Sequence, residues 1–199
     1  NNVAVVQAED EIAGITSAIG ASFAGNLAAT NTSGPGLALK SEAIGLAVMA
    51  ELPLVIVDVM RGGPSTGLPT KTEQTDLLQA LYGRNGESPA VVMAASTPAD
   101  CFHFAFMASK IALEHMTPVI LLTDAFIGNG TSLWKLPTLA ELPGIYPNYT
   151  KKGMEDVKVT SRDEETKVRY WSIPGTEGFG HRNGGLEKDY YTGAISTDP

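Results

Sequence analysis

LVIVDVMRGGPSTGLPTKTEQTDLLQALYG, residues 54–83, decides the fold. LVIVDV (54–59) is apolar at both of its alternating sets of positions but for Asp58, the pattern of a strand covered on both faces. DLLQALYG (76–83) reads as a short helix. Between them runs a long loop punctuated by Gly62, Gly63, Gly67, Pro64 and Pro69, with five serines and threonines and one arginine, Arg61, at its entrance. Strand, ligand-type loop and helix in that order are the repeating unit of a parallel sheet.

The same alternation extends outward. VAVV (3–6) reads as a buried strand, and residues 9–23 as a helix with Ile12, Ile15 and Ile19 at helical spacing. Acids in its first turn suit the helix dipole. LAATNTS (27–33) reads as a short strand broken by SGPG, and residues 37–51 as an almost wholly apolar helix. AVVMAA (90–95) is a strand, residues 96–116 a capped helix with Pro98 near its first turn, and PVILLTD (118–124) a last strand. The fold class is therefore α/β: an open, mostly parallel sheet with helices on both faces, followed by an extended C-terminal arm. Residues 1–127 form the domain. Residues 128–199, rich in proline, glycine and charge clusters such as TSRDEETKVR (160–169), read as an arm that wraps a partner or a subdomain, leading toward further domains.

Composition narrows the function. The 199 residues, 43% of them hydrophobic, suffice for one sizeable core, and the net charge of −8 argues against a nucleic-acid surface. A single cysteine, Cys101, makes no intrachain disulfide, holds no iron–sulfur cluster alone, and fits a reducing, cytoplasmic setting. No run approaches about 20 apolar residues, so no membrane span is expected. TSGPG (32–36) is not a dinucleotide fingerprint, and no phosphate-binding P-loop is present. The chain opens on NNVAVVQ and stops at STDP, as a piece of something longer does.

Ligands of open parallel sheets lie outside the carboxyl ends of the strands, which directs attention to the segments just after each strand. Glu11 falls on the helix face of Ile15, Ala18 and Ile19, where a carboxylate needs a partner; a solvated first-turn acid is the competing reading, although Glu9 and Asp10 fill that role better. Arg61 has the planar donor fork that binds a carboxylate or phosphate. A salt bridge to Glu73 or Asp76 is its competing reading. His103, His115 and His181 form no metal pattern; His181 alone has a ligand-like setting. Cys101 sits at a helix start, where an inert packed thiol is the stronger reading than an activated one.

QAEDEIAGITSAIGASFAG (7–25), TSGPG, the stretch from Ser41 to Gly83 and PADCF (98–102) together resemble the alpha subunit of 2-oxoacid:ferredoxin oxidoreductases, the 2-oxoglutarate type above all. The match runs from residue 3 to about residue 127, and GGLEKD (184–189) with G-x-x-S-x-DP (193–199) resembles the segment after this domain in that family. The resemblance implies a pyrimidine-binding domain for thiamine diphosphate, with magnesium and an iron–sulfur cluster on a separate beta subunit. It implies that Glu11 binds the aminopyrimidine and promotes the tautomer that deprotonates the thiazolium carbon, and that Ser33 and Gly34 lie against the cofactor. Arg61 would bind the substrate carboxylate, and Thr70 would face the substrate. Carbon dioxide would leave, coenzyme A would take the acyl group, and ferredoxin the electrons. An alpha–alpha contact is a further implied partnership. A YPITPSS-type segment before the first strand, an amino-terminal gamma-type domain and carboxy-terminal domains belong to the family pattern and are missing here, so the chain is expected to be silent alone. A pyruvate- or indolepyruvate-type subunit and a non-catalytic α/β assembly module are the alternatives.

Overall fold

The computed structural model describes residues 2–151, 153, 154 and 157–197. Four strands, β1 (Ala29–Thr32), β2 (Leu54–Met60), β3 (Val91–Ala94) and β4 (Pro118–Asp124), form one sheet in the order β1-β2-β4-β3. All pairs are parallel, with Thr32 opposite Asp58 and Asp58 opposite Leu122. The helices are α1 (Glu11–Phe23), α2 (Gly34–Met49), α3 (Leu77–Tyr82), α4 (Pro98–His115) and α5 (Ala125–Asn129). β2 and β4 occupy the centre, which is why their sequences are apolar at nearly every position.

Alternate residues of the central strands feed two cores. Leu54, Ile56, Met60, Ile120 and Leu122 meet Ile15, Ile19, Leu37, Ile44 and Ala80 from α1, α2 and α3. Val55 and Val119, on the other face, meet Ala108 and Ala112, one turn apart on α4. Those small residues let α4 lie close to the sheet. Each fully buried Ile or Leu contributes roughly 1.5–3 kcal/mol. Helices on both faces and an all-parallel sheet are the fold expected from the alternating pattern.

Two local expectations fail, each for a physical reason, and one short helix is added. Residues 3–6 join no strand, and Val3, Val5 and Val6 are 77, 91 and 75% exposed. An apolar run records a tendency to be buried, but a strand also needs a sheet edge to pair with, and none meets this one. The SGPG segment does not break the chain before α2 but opens it: Ser33 is the N-cap and Pro35 lies in the first turn, where a missing N–H costs nothing. Finally, α5 follows β4 directly. Asp124 caps it, its Oδ1 accepting from the N–H groups of Phe126 and Ile127 at 2.8 and 3.0 Å.

The arm beyond α5 has one short 3₁₀ turn (Leu139–Glu141) and isolated bridges, and it folds back on the domain. Trp171 is buried with Leu113, Met116 and Val168, and stacks on Tyr149 at 5.2 Å. At the C-terminus of α2, Arg169 donates to the carbonyls of Val159, Ala50 and Glu51, Asn183 to that of Ala50, and Lys188 to that of Met49. Arg162 pairs with Glu51. Helix ends leave carbonyls without partners and carry partial negative charge, so cations and amides from a distant segment are the natural cap. Asp198 and Pro199 of the tail pattern lie outside the described residues.

Replacing Arg169, which is buried, by Ala strands the Val159 and Glu51 carbonyls without donors and leaves that of Ala50 to Asn183 alone. The expected loss is about 2–4 kcal/mol, read as a lower urea midpoint with an unchanged slope.

Candidate functional site

The first turn of α2 ends up at the carboxyl ends of β1 and β2, and the residues expected to matter gather round it. Asp10 caps α1, accepting from the Ala13 N–H at 2.7 Å, which frees the next acid, Glu11, from capping. The half-buried Glu11 side chain lies over Gly36. A Cβ at Gly36 would overlap Thr32 Oγ1 and come within 2.7 Å of Glu11 Cγ. The Glu11 carboxylate accepts no hydrogen bond from the described residues, and its main-chain carbonyl accepts one from Lys40 Nζ at 2.8 Å.

Arg61 leaves β2 toward Ser33. Its Nε donates to Ser33 Oγ at 3.1 Å. Among the described residues no carboxylate lies within 4 Å of its guanidinium, so the bridge to Glu73 or Asp76 that competed for it is not formed. Glu73 instead accepts from the Gly63 N–H at 3.1 Å, and Gln74 donates to Asp124 Oδ2 at 2.6 Å, which fastens the loop to the end of β4. Gly62 bridges to Leu68, and a Cβ there would lie 2.8 Å from Leu68 Cβ. The glycine thus lets the loop close on itself. Thr70 stands on the exposed outer part of the loop, without a hydrogen bond to Glu11, Ser33 or Arg61.

Lys40 and Asp58 were not read as site groups from the sequence, and Asp76 only as a competing partner for Arg61. Lys40 is 1% exposed in the middle of α2. Burial pulls its ammonium pKa down, while the charges of Glu11 and Asp10 push it back up. Asp58 is 0% exposed on β2. Burial, then the charge and hydrogen bond of Asp76, push its carboxyl up to about 7. Asp76 occupies the hollow over Gly34, where a Cβ would fall 2.6 Å from its Oδ1. A single cation in an apolar helix and a single acid in an apolar strand were signals visible in the sequence. Asp124 shows the contrary balance: burial pushes its carboxyl up, but hydrogen bonds from Gln74, Ile127 and Phe126 leave it below the usual range.

The remaining candidates lie elsewhere. Burial, then the charges of Asp100 and Asp124, raise the Cys101 thiol pKa, as befits a packed and unreactive group. His103 packs edge-on against Trp134 and Phe102. His181 has its Nδ1 2.9 Å from the Phe179 carbonyl oxygen, in the arm. No group of metal-ligating side chains occurs among the described residues, and no described helix is long and apolar enough to cross a membrane.

An acid packed over Gly36 and an arginine bonded to the Ser33 N-cap meet the same helix start, at the carboxyl edge of a parallel sheet, where open α/β domains bind their ligands. The chain belongs to the thiamine-diphosphate-binding domain family of pyruvate flavodoxin/ferredoxin oxidoreductases, whose model matches residues 1–193. It is 57% identical over 198 residues to the 2-oxoglutarate oxidoreductase subunit KorA of Mycobacterium tuberculosis, covering 100% of this chain and 30% of that one. A 2-oxoglutarate synthase subunit KorA from Archaeoglobus fulgidus is 47% identical over 137 residues, 69% of this chain and 40% of the relative. Among solved structures, a 2-oxoglutarate:ferredoxin oxidoreductase from Magnetococcus marinus with 2-oxoglutarate, coenzyme A and succinyl-CoA bound superposes with a TM-score of 0.92 at 41% identity, over 98% of this chain and 34% of that one. The chain thus spans about a third of the length of these relatives.

The raised pKa of Asp58 fixes a sign. Between about 3.8 and about 7 the unfolded chain gives up this proton while the folded one keeps it, so this group makes stability fall as pH rises through that window. Asp58→Asn should remove that component. Denaturation of the variant across the window should show its stability gaining on that of the unsubstituted protein as pH rises.

Proposed function

We propose that this chain is the pyrimidine-binding part of the alpha subunit of a 2-oxoglutarate:ferredoxin oxidoreductase. The whole enzyme would decarboxylate a 2-oxoacid oxidatively, form acyl-CoA and pass electrons to ferredoxin. One observation carries the reading: Arg61 is held at the site by a neutral hydroxyl, with no carboxylate neutralising it. A planar cation left in that condition beside a half-buried acid suits a substrate carboxylate. The 2-oxoglutarate for which these relatives are named supports the choice of substrate over pyruvate or an indolepyruvate.

The residues present fit thiamine diphosphate. Glu11 offers a half-buried carboxylate that accepts no hydrogen bond from the described residues, held against Gly36, where a side chain would collide with Thr32 and with Glu11 itself. Ser33 and Gly34, at the start of α2, lie on the same edge, and we assign them to the cofactor as well. When bound, thiamine diphosphate supplies the electron sink that lets a 2-oxoacid lose carbon dioxide. Glu11 would hold a proton toward the aminopyrimidine of the bound cofactor and so favour one of its tautomers. Arg61 would grip the substrate carboxylate by its fork, Ser33 Oγ fixes the guanidinium, and we assign Thr70 of the same loop to the substrate as well. Magnesium and the iron–sulfur cluster belong on a beta subunit, and coenzyme A and ferredoxin are served by the assembled complex. Residues 128–199 lead toward the further domains of the subunit, and a second alpha subunit is an additional partner.

Glu11→Gln in the intact complex should leave the fold alone and lower turnover by orders of magnitude, since an amide does not exchange the proton. Turnover within about threefold of the unsubstituted enzyme would remove Glu11 from catalysis.

Arg61→Ala should raise KM for 2-oxoglutarate steeply, at a cost of a few kcal/mol, while cofactor affinity barely changes. Arg61→Lys should recover only part, because an ammonium lacks the planar fork. An unchanged KM with a lowered melting temperature would make the arginine structural.

A further inference from the structure

Beneath the first turn of α2, two carboxyl groups meet away from water. Asp58 sits on the β2 face that also carries Ile56 and Met60 and is fully buried. Among the described residues no donor reaches either of its oxygens, apart from the hydrogen bond it forms with Asp76 when one of the two is protonated. Asp76 is also buried. Its Oδ1 accepts from the Thr75 hydroxyl at 3.2 Å, and its Oδ2 has no partner, so an oxygen stands ready for a proton from Asp58. Two adjacent carboxylates in a dry site cannot both stay charged at small cost, and such pairs keep one proton between them.

The place of the pair gives it a task. Asp58 stands three residues before Arg61, and Asp76 ends the same loop as the residue preceding α3. Asp76 fills the hollow over Gly34, and Gly34 adjoins Ser33, the residue that holds Arg61. Gln79, one turn into α3, donates to the Gly34 carbonyl at 3.2 Å. Both ends of the substrate loop are therefore fastened under the helix start that orients its arginine.

We propose that Asp58 and Asp76 are positioning residues for the 2-oxoacid: one shared proton latches the two ends of the Arg61 loop beneath α2, and its loss loosens the grip of Arg61 on the substrate carboxylate. This rests on the assignment of Arg61 to the substrate. The neighbours leave the proton to the pair. Across the sheet Asp58 stands opposite Thr32 of β1 and Leu122 of β4, and Gly34 of α2 lies against Asp76. Glu11 of α1, Lys40 of α2 and Arg61 of the loop are not bonded to Asp58, and Asp124 at the end of β4 is bonded to Gln74. The charge that acts on Asp58 is that of Asp76, and with burial it places the loss of the proton at about pH 7.

The test uses the full-length alpha subunit with its beta subunit, loaded with cofactor. KM for 2-oxoglutarate and kcat are measured from about pH 6 to about pH 9 for the unsubstituted enzyme, Asp58→Asn, Asp76→Ala and Arg61→Ala. In the unsubstituted enzyme KM should rise roughly tenfold across the range, with kcat changing less. Asp58→Asn keeps a permanent donor toward Asp76, so its KM should stay low and flat above pH 7. Asp76→Ala severs the latch and should give a high KM at every pH. The infrared band of a buried protonated carboxyl should vanish in Asp58→Asn, which reports the shared proton without any turnover. A KM profile in Asp58→Asn that tracks the unsubstituted enzyme, or a carboxyl band that persists, overturns the latch. An Arg61→Ala enzyme with unchanged KM overturns instead the substrate assignment on which the latch depends, so the two failures are told apart.

Discussion

The architecture of the carboxyl edge depends on how closely the first turn of α2 is approached by its neighbours. Gly34 leaves room for the Asp76 carboxyl, and Gly36 leaves room for Thr32 and the Glu11 side chain. A methyl group at either position would have to displace a polar group rather than a pliable apolar one. Pro35 between them starts the helix without a missing bond. Three consecutive residues thus admit an acid from α1, a hydroxyl from β1 and an acid from the loop to one helix terminus, where partial positive charge favours all of them.

The other end of α2 is held just as firmly, by different means. Strands and helices run in opposite directions in a parallel α/β layer, so the C-terminus of α2 lies at the sheet edge away from the candidate site. There the arm supplies Arg169, Asn183 and Lys188 to carbonyls that α2 cannot satisfy itself. Fixing the far end of the helix limits its tilt, and tilt is what would move Ser33 relative to Arg61. The described residues of the arm thus hold the end of α2 opposite the candidate site.

The sheet and its order of elements were legible in the sequence because burial on both faces writes itself as unbroken apolar runs, in LVIVDV and PVILLTD above all. The same rule misled at VAVV, whose apolar residues pair with neither edge strand and stay exposed. The site was legible where a residue type contradicted its surroundings. Glu11 on an apolar face and Arg61 at a strand end both stand out for that reason, and the structure brings each to the first turn of α2. Lys40 and Asp58 contradict their surroundings as sharply, but their partners, the Glu11 carbonyl and Asp76, are 29 and 18 residues away, and no spacing rule links them. The docking of the arm was illegible for a related reason: side-chain caps on carbonyls leave no periodic trace.

Buried and half-buried cations show how the chain separates structural charge from the rest. Lys40 is spent on the Glu11 carbonyl, Arg84 on those of Ser88, Ala80 and Leu81, and Arg169 on those of Val159, Ala50 and Glu51. Carbonyl oxygens satisfy the donors but neutralise little of the charge, and each of these groups is accordingly pulled down in pKa, with burial the leading cause. Lys110 and Arg162 are spent on carboxylates at the surface, where pairing contributes little. Arg61 takes neither course. A hydroxyl takes its Nε, the side of the guanidinium nearest the chain, and the terminal nitrogens have no hydrogen bond from the described residues. The Ser33 contact orients the plane of the fork without cancelling its charge, which is the condition under which an incoming carboxylate gains the most from a paired, charge-assisted contact.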